Sequence, residues 1–92
     1  MEKKRVSVRY YGSVQGGGFR YTACHAARML GLTGWVENCS DGTVLAEIQG
    51  TAEEIDKMEQ LIGSGRYIEI THSDVRNIPV VDDERSFEIR GY

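Results

Sequence analysis

Residues 12–20 read Gly12-Ser13-Val14-Gln15-Gly16-Gly17-Gly18-Phe19-Arg20, a glycine-rich stretch that ends on an arginine. It connects a segment that alternates like a β-strand to one with the periodicity of an α-helix. Glycines lack a Cβ and readily adopt positive φ, so successive backbone N–H groups can face one centre of negative charge. Arg20 adds a planar set of donors, and a helix that starts near Tyr21 adds the positive end of its dipole. We therefore predict a strand, an anion-binding loop and a helix; the alternative is a mobile glycine loop with a solvated arginine.

The segments on either side of this loop have clear periodicities. Before it, Val6, Val8 and Tyr10 alternate with polar residues, as in a strand with one buried face. After it, small and apolar residues recur at helical spacing, and Gly31 suits the helix C-terminus. These helical residues are Ala23, Ala26, Ala27 and Leu30.

The next segments predict a hairpin and a second helix. Residues from Thr33 to Cys39 form a short second strand, and Asp41-Gly42 is typical of a two-residue hairpin turn into a third strand. Thr51-Ala52-Glu53-Glu54 is a capping box, which marks the start of a helix. The inner face of that helix is expected to carry Ile55, Met58 and Ile62.

Two further strands complete the domain. A fourth strand is predicted from Ile68 to Ile78, with a bulge near His72 to Asp74, and a short last strand contains Phe87 and Ile89. The order β-α-β-β-α-β with a terminal strand is the split βαβ arrangement of ferredoxin-like folds. We therefore predict an α+β domain over residues 1–92, with an antiparallel sheet and both helices on one face.

Composition narrows the class of protein. The chain has 92 residues, 40% hydrophobic and 27% charged, as expected for one globular domain. No apolar run is long enough to span a bilayer, and no signal-peptide core follows the N-terminus, so we expect a cytoplasmic protein that does not bind membranes. The net charge of −3 and the scattered basic residues argue against nucleic-acid binding. A monomer is the simplest expectation.

The cysteines and histidines give no metal or redox motif. Cys24 and Cys39 are too far apart for a CxxC motif, and neither His25 nor His72 has a partner at metal-ligand spacing. We expect free thiols near the loop and no metal or cofactor. A disulfide that ties the first helix to the end of the second strand is the alternative, if the two Cα atoms are close enough.

The predicted topology brings a polar residue to the loop. Strands one and two run in the same direction, so the end of strand two lies at the edge of the sheet where the loop begins. Asn38 stands at that end. We therefore expect Asn38 to approach Arg20.

This arrangement resembles the acylphosphatase family. The resemblance rests on residues 12–20, on Leu30-Gly31-Leu32-Thr33-Gly34-Trp35-Val36-Glu37-Asn38, and on Asp41-Gly42-Thr43-Val44. It implies hydrolysis of an acyl phosphate to a carboxylate and inorganic phosphate, with no metal and no phosphoenzyme. It also implies that Arg20 binds the phosphate and that Asn38 orients the attacking water.

The loop N–H groups complete the phosphate site that the resemblance implies. They are expected to come from Gln15, Gly16, Gly17, Gly18 and Phe19. Gly17 departs from the family pattern, which has valine or another bulky residue there, so we expect a less preorganised loop. Gly65-Arg66 departs as well, where the family commonly has Gly-Pro.

Three other functions compete with hydrolysis. RNA-recognition domains with the same element order stack bases on aromatic residues of the central strands, and strand three, Thr43 to Gln49, has none. A Walker-type nucleotide site is excluded because no Lys-Ser or Lys-Thr follows the glycines. An acylphosphatase-like domain that binds anions or partners without efficient turnover stays open.

Overall fold

The computed structural model describes residues 2–16, 18–63 and 68–91, so Gly17 and Gly65-Arg66 lie outside the described residues. The elements follow the predicted order: β1 (Lys4–Ser13), α1 (Phe19–Met29), β2 (Thr33–Asn38), β3 (Val44–Gly50), α2 (Ala52–Gly63), β4 (Glu69–Ile78) and β5 (Phe87–Arg90). The strands form one sheet in the order β4-β1-β3-β2-β5. β1 pairs antiparallel with both β3 and β4, and β2 pairs antiparallel with β3. β5, by contrast, pairs parallel with β2. The ferredoxin-like α+β prediction is confirmed, and β5 makes the sheet mixed.

One face of the sheet carries the core. Val6, Val8 and Tyr10 of β1 stand in register with Ile48, Ala46 and Val44 of β3. These residues form a single buried cluster with residues of both helices. The helical members include Ala23, Ala26 and Ala27 of α1 and Ile55, Met58 and Ile62 of α2. Both helices therefore cover the same face, as the periodicities predict.

The opposite face is partly covered by the segment between β4 and β5. Arg5, which the alternation places on the polar face, is only 3% exposed. Its guanidinium donates to Glu84 at 2.7 Å and to Glu47 at 2.8 Å. Burial opposes the charge on Arg5, but the hydrogen bonds to these carboxylates outweigh burial and raise its pKa. The segment before β5 is thus held on the sheet by a partly buried ion pair between Arg5 and Glu84.

Helix α1 starts two residues before Tyr21, the predicted start. Gly18 is its N-cap residue at φ +82°, so Phe19 and Arg20 already belong to the first turn. At the other end Gly31 has φ +73°, and the Leu32 N–H donates to the Ala27 carbonyl at 2.9 Å. That bond confirms the predicted glycine terminus.

Helix α2 begins with the predicted capping box. The Glu54 N–H donates to Thr51 Oγ1 at 3.2 Å, and the Thr51 N–H donates to Glu54 Oε1 at 3.1 Å. Neither helix is long and apolar enough to cross a membrane, among the residues described.

The connection between β2 and β3 and the bulge in β4 both differ from prediction. Residues 39–43 connect β2 to β3, and the Cys39 N–H donates to the Thr43 carbonyl at 2.9 Å, so the turn itself has three residues, 40–42. Gly42, at φ +89°, completes this wider turn. In β4 the register shifts opposite Tyr11 and Gly12, which leaves Thr71 as the extra residue. The bulge therefore lies one residue before the predicted segment.

Candidate active site

The glycine-rich loop leaves the sheet at a fixed point. Gly12 has φ +124°, and a Cβ on it would lie 2.2 Å from the Glu69 carbonyl oxygen of β4. Beyond it, Val14 and Phe19 are buried at the two ends of the loop. The Phe19 ring packs on Tyr10 with 5.2 Å between centroids. The position of the loop relative to the sheet is therefore set by the close contact of Gly12 with β4 and by the burial of Val14 and Phe19 in the core.

The N-terminus of α1 is open, unlike that of α2. Gly18 has no side chain to cap α1, and the first turn contains no acidic residue. In α2, by contrast, Thr51 and Glu54 cap each other and Glu53 adds a second acid. The first backbone N–H groups of a helix have no intrahelical partner and carry the positive end of its dipole. The start of α1 thus favours an anion from outside the helix.

Arg20 and Asn38 line one pocket of about 230 Å³ at this helix terminus. Asn38 is the last residue of β2 and stands opposite Val44 of β3, on the face that the helices cover. The pocket is also lined by Val14, Gly16, Gly18, Phe19 and Tyr21. The structure therefore brings Arg20, Asn38, Gly16, Gly18 and Phe19 together. Gln15 does not line the pocket, and Gly17 lies outside the described residues.

The two polar side chains of this pocket have unused hydrogen-bonding capacity. Asn38 Oδ1 is buried and accepts no hydrogen bond from the described chain. A buried acceptor without a partner costs about 1–3 kcal/mol, so such atoms call for an explanation. The guanidinium of the half-buried Arg20 makes no hydrogen bond or ion pair with another described residue. A guanidinium and a carboxamide oxygen are thus both available to a molecule that enters the pocket.

The Gln15 side chain contacts the hairpin instead of the pocket. Its Nε2 donates to the carbonyl oxygens of Cys39 at 2.7 Å and Thr43 at 2.8 Å. Thr43 is itself fixed, because its N–H and hydroxyl donate to Asp41 Oδ1 and Arg9 donates to its hydroxyl at 2.8 Å. The bonds from Thr43 lower the pKa of Asp41. Sequence reasoning missed the two bonds of Gln15, since their backbone acceptors have no residue signature.

The two cysteines have separate surroundings. Both are free thiols. Cys24 is buried and contacts the Phe87 carbonyl of β5 at 3.6 Å, so it faces β5 and not the loop, where the sequence places it. Burial raises the pKa of this thiol, which keeps it protonated. Cys39 belongs to the hairpin and contributes its backbone oxygen to Gln15.

In the part of the chain that the structure describes, the histidines and the other cavities do not repeat the combination of Arg20 and Asn38. His72 Nε2 lies 2.8 Å from Asp74 Oδ1 on the exposed surface of β4. Within residues 2–16, 18–63 and 68–91, no group of three His, Cys, Asp or Glu side chains could hold a metal ion. Larger cavities of about 460 Å³ and 290 Å³ contain neither Arg20 nor Asn38.

Comparison with known proteins identifies the family. The acylphosphatase family model matches residues 6–89. The chain is 43% identical over 88 residues to an acylphosphatase of Bifidobacterium longum, a match that covers 94% of this chain and 91% of that protein. It is 44% identical over 92 residues to one of Bordetella parapertussis, covering 100% and 88%. The crystal structure of acylphosphatase from Bacillus subtilis matches with a TM-score of 0.86 and 26% identity, covering 94% of this chain and 97% of that one. The chain therefore belongs to the acylphosphatase family and is an enzyme of this type.

Proposed function

We propose that this enzyme hydrolyses acyl phosphates to a carboxylate and inorganic phosphate, without a metal ion, by attack of water on phosphorus. The observation that carries this proposal is the buried Asn38 Oδ1, which lacks a partner among the described residues in the pocket that Arg20 also lines. Membership of the acylphosphatase family supports the reaction type.

Arg20 and the start of α1 are suited to hold the phosphoryl group. A guanidinium donates two parallel hydrogen bonds to phosphoryl oxygens and counters their charge. The first residues of α1 line the same pocket, where unpaired N–H groups favour an anion, and the glycines beside them let an oxyanion approach the backbone closely. These groups stabilise charge on the transferring phosphoryl group.

Asn38 is suited to hold the nucleophile. Its buried Oδ1 accepts a hydrogen bond from water, and its amide group can donate one. An amide does not titrate near neutral pH, so it orients a neutral water without acting as a strong base. A water held in line with the phosphorus is already in a near-attack geometry, so the entropic cost of bringing the two reactants together is reduced.

The leaving group reduces what the site must supply. Water forms a new bond to phosphorus while the bond from phosphorus to the acyl oxygen breaks, and the electron pair leaves on the carboxylate. A carboxylate is a good leaving group and needs little protonation. The proton of the attacking water leaves with phosphate or passes to solvent. A guanidinium from Arg20 and a carboxamide from Asn38 are therefore sufficient for the reaction, without a general acid. The acyl part of the substrate can protrude from the pocket.

An oxygen-18 experiment tests this reaction. The purified chain would hydrolyse an aryl-acyl phosphate, such as benzoyl phosphate, in labelled water with a metal chelator. We expect turnover well above the uncatalysed rate, with the label in inorganic phosphate. Label in the carboxylate would contradict attack on phosphorus. Phosphate binding without turnover would favour an anion- or partner-binding domain instead.

The exposed Arg85 offers a matched control for this assay. Arg85→Gln removes one positive charge outside the pocket, so its rate should match the wild type. Arg20→Gln removes the same charge inside the pocket and should lose turnover.

A small acyl phosphate or phosphate is the partner we propose. A cytoplasmic location, a monomeric state and the lack of nucleic-acid binding stay predictions from the sequence.

A further inference from the structure

The side chain of Gln15 joins the two halves of the proposed active site. Gln15 belongs to the loop that precedes Arg20, and both of its acceptors belong to the hairpin that follows Asn38. One of these acceptors, the Cys39 carbonyl, is on the residue next to Asn38. The other, the Thr43 carbonyl, also pairs with the Cys39 N–H at 2.9 Å. The carboxamide of Gln15 therefore spans the base of the hairpin.

Hydrogen bonds hold the Thr43 acceptor of the hairpin in place. Asp41 Oδ1 accepts from the Thr43 hydroxyl at 2.6 Å and from its N–H at 3.0 Å. Arg9 of β1 donates to the same hydroxyl at 2.8 Å. Thr43 is consequently held by hydrogen bonds to Asp41 of its own hairpin and to Arg9 of β1. A loop residue bonded to Thr43 is located relative to the sheet and to the end of β2.

The loop itself provides little restraint between its buried ends. Gly16 and Gly18 have φ +76° and +82°, and no atom lies within 4 Å of a Cβ placed on either of them. Among the residues that the structure describes between Val14 and Phe19, Gln15 alone is not a glycine, and its side chain donates to the hairpin. Glycines enlarge the range of backbone conformations open to a loop. Gln15 therefore offsets the freedom that the glycines introduce.

We propose, building on the function proposed above, that Gln15 is a positioning residue for hydrolysis. Its two hydrogen bonds set the separation between the Arg20 side of the pocket and Asn38, and so between bound phosphate and the oriented water. The Gln15 side chain is exposed and lies outside the pocket, so it acts through these neighbours and touches neither reactant. A small displacement of such groups is costly, since about 1 Å of misplacement lowers rates by about 100-fold.

The variant Gln15→Met tests this role. Methionine keeps the length of the side chain, carries no charge and removes both N–H donors. We expect kcat for benzoyl phosphate to fall by about 10- to 100-fold. The inhibition constant of inorganic phosphate should stay within about threefold, because the loop N–H groups and Arg20 remain. Gln60→Met, at an exposed position of α2, is the matched control and should keep the wild-type kcat.

Two outcomes would overturn the positioning role. One is a kcat for Gln15→Met within about twofold of wild type. The other is a loss of phosphate affinity equal to the loss of kcat, which would mean that the whole loop had collapsed. Gln15→Glu adds a second test, because a carboxylate cannot donate to the two carbonyl oxygens that it would face. Its kcat should be lower still, and a wild-type kcat in this variant would also overturn the proposal.

Asn38→Ala separates this inference from the proposed function. If Asn38→Ala keeps the wild-type kcat, the proposed role of Asn38 in orienting water fails whatever Gln15 does. If Asn38→Ala loses kcat and Gln15→Met keeps it, the proposed function stands and the positioning role alone is wrong.

Discussion

The substitution Gly12→Ala tests how the loop is anchored to the sheet. Gly12 has φ +124°, and an added Cβ would lie 2.2 Å from the Glu69 carbonyl oxygen and 2.9 Å from the Thr71 nitrogen. Both atoms belong to the backbone of β4, so no side chain can rotate away. The substitution therefore imposes a disfavoured φ and also forces β1 and β4 apart.

The two effects have separate magnitudes. Holding a non-glycine residue at such a φ costs about 1–3 kcal/mol. Separating the strands beside the bulge weakens ladder hydrogen bonds that contribute about 0.5–1.5 kcal/mol each. Alanine also restricts the unfolded chain, which returns about 0.4–1 kcal/mol. We expect the free energy of unfolding to fall by about 3 kcal/mol, and the thermal midpoint by about 12 °C or more.

Gly31→Ala is the control for conformational strain alone. Gly31 also has a positive φ, +73°, but no atom lies within 4 Å of a Cβ placed there. We expect this variant to lose only about 1–2 kcal/mol. Urea unfolding followed by circular dichroism would compare both variants with wild type. A Gly12→Ala variant that is no less stable than Gly31→Ala would refute the proposed backbone clash.

Further predictions concern the buried tyrosine of β1 and the ion pair of the open face. Tyr10→Phe should lower the free energy of unfolding by about 1.5–3 kcal/mol, because the hydroxyl donates to the half-buried Glu59 at 2.5 Å. Equal stability of the two proteins in urea would contradict this reasoning. Although burial raises the pKa of Glu84, hydrogen bonds from Arg5 and Thr33 lower it below the usual 4.5. The ionised Glu84 therefore stabilises the fold above that pH, and the contribution is lost as pH falls through the lowered pKa. Glu84→Gln should be less stable at neutral pH with a shallower loss of stability in acid, and identical pH profiles would show that the ion pair contributes nothing.

Local patterns and topology predict the elements and the meeting of Arg20 with Asn38. The capping box at Thr51 has a side-chain signature, and the alternation at Val6, Val8 and Tyr10 follows from one buried face. That Arg20 and Asn38 line one pocket follows from the direction of β1 and β2. These features depend on residues close together in the sequence or on the order of the strands, and both can be inferred from the sequence pattern.

The remaining features depend on contacts that leave no local pattern. Gly18 starts α1 without a capping side chain, so the start expected from the sequence lies two residues late. Arg5 is buried by Glu84, which is 79 residues away and belongs to a segment without regular structure. Gln15 bonds to two backbone carbonyls, whose positions are set by the width of the hairpin turn. The sequence predicts a two-residue turn there, so this contact could not be anticipated.

The central claim is that Arg20 holds the phosphoryl group while Asn38 orients the water. The most direct test is kcat together with the inhibition constant of inorganic phosphate for Asn38→Ala, in chelator, with Asn77→Ala of the exposed strand β4 as control. Losing a group that acts only in the transition state lowers kcat without weakening ground-state binding, so we expect kcat to fall by about 100-fold or more. Phosphate inhibition should change by no more than about threefold. A wild-type kcat in Asn38→Ala, or an equal loss of phosphate binding and turnover, would contradict the division of roles between Arg20 and Asn38.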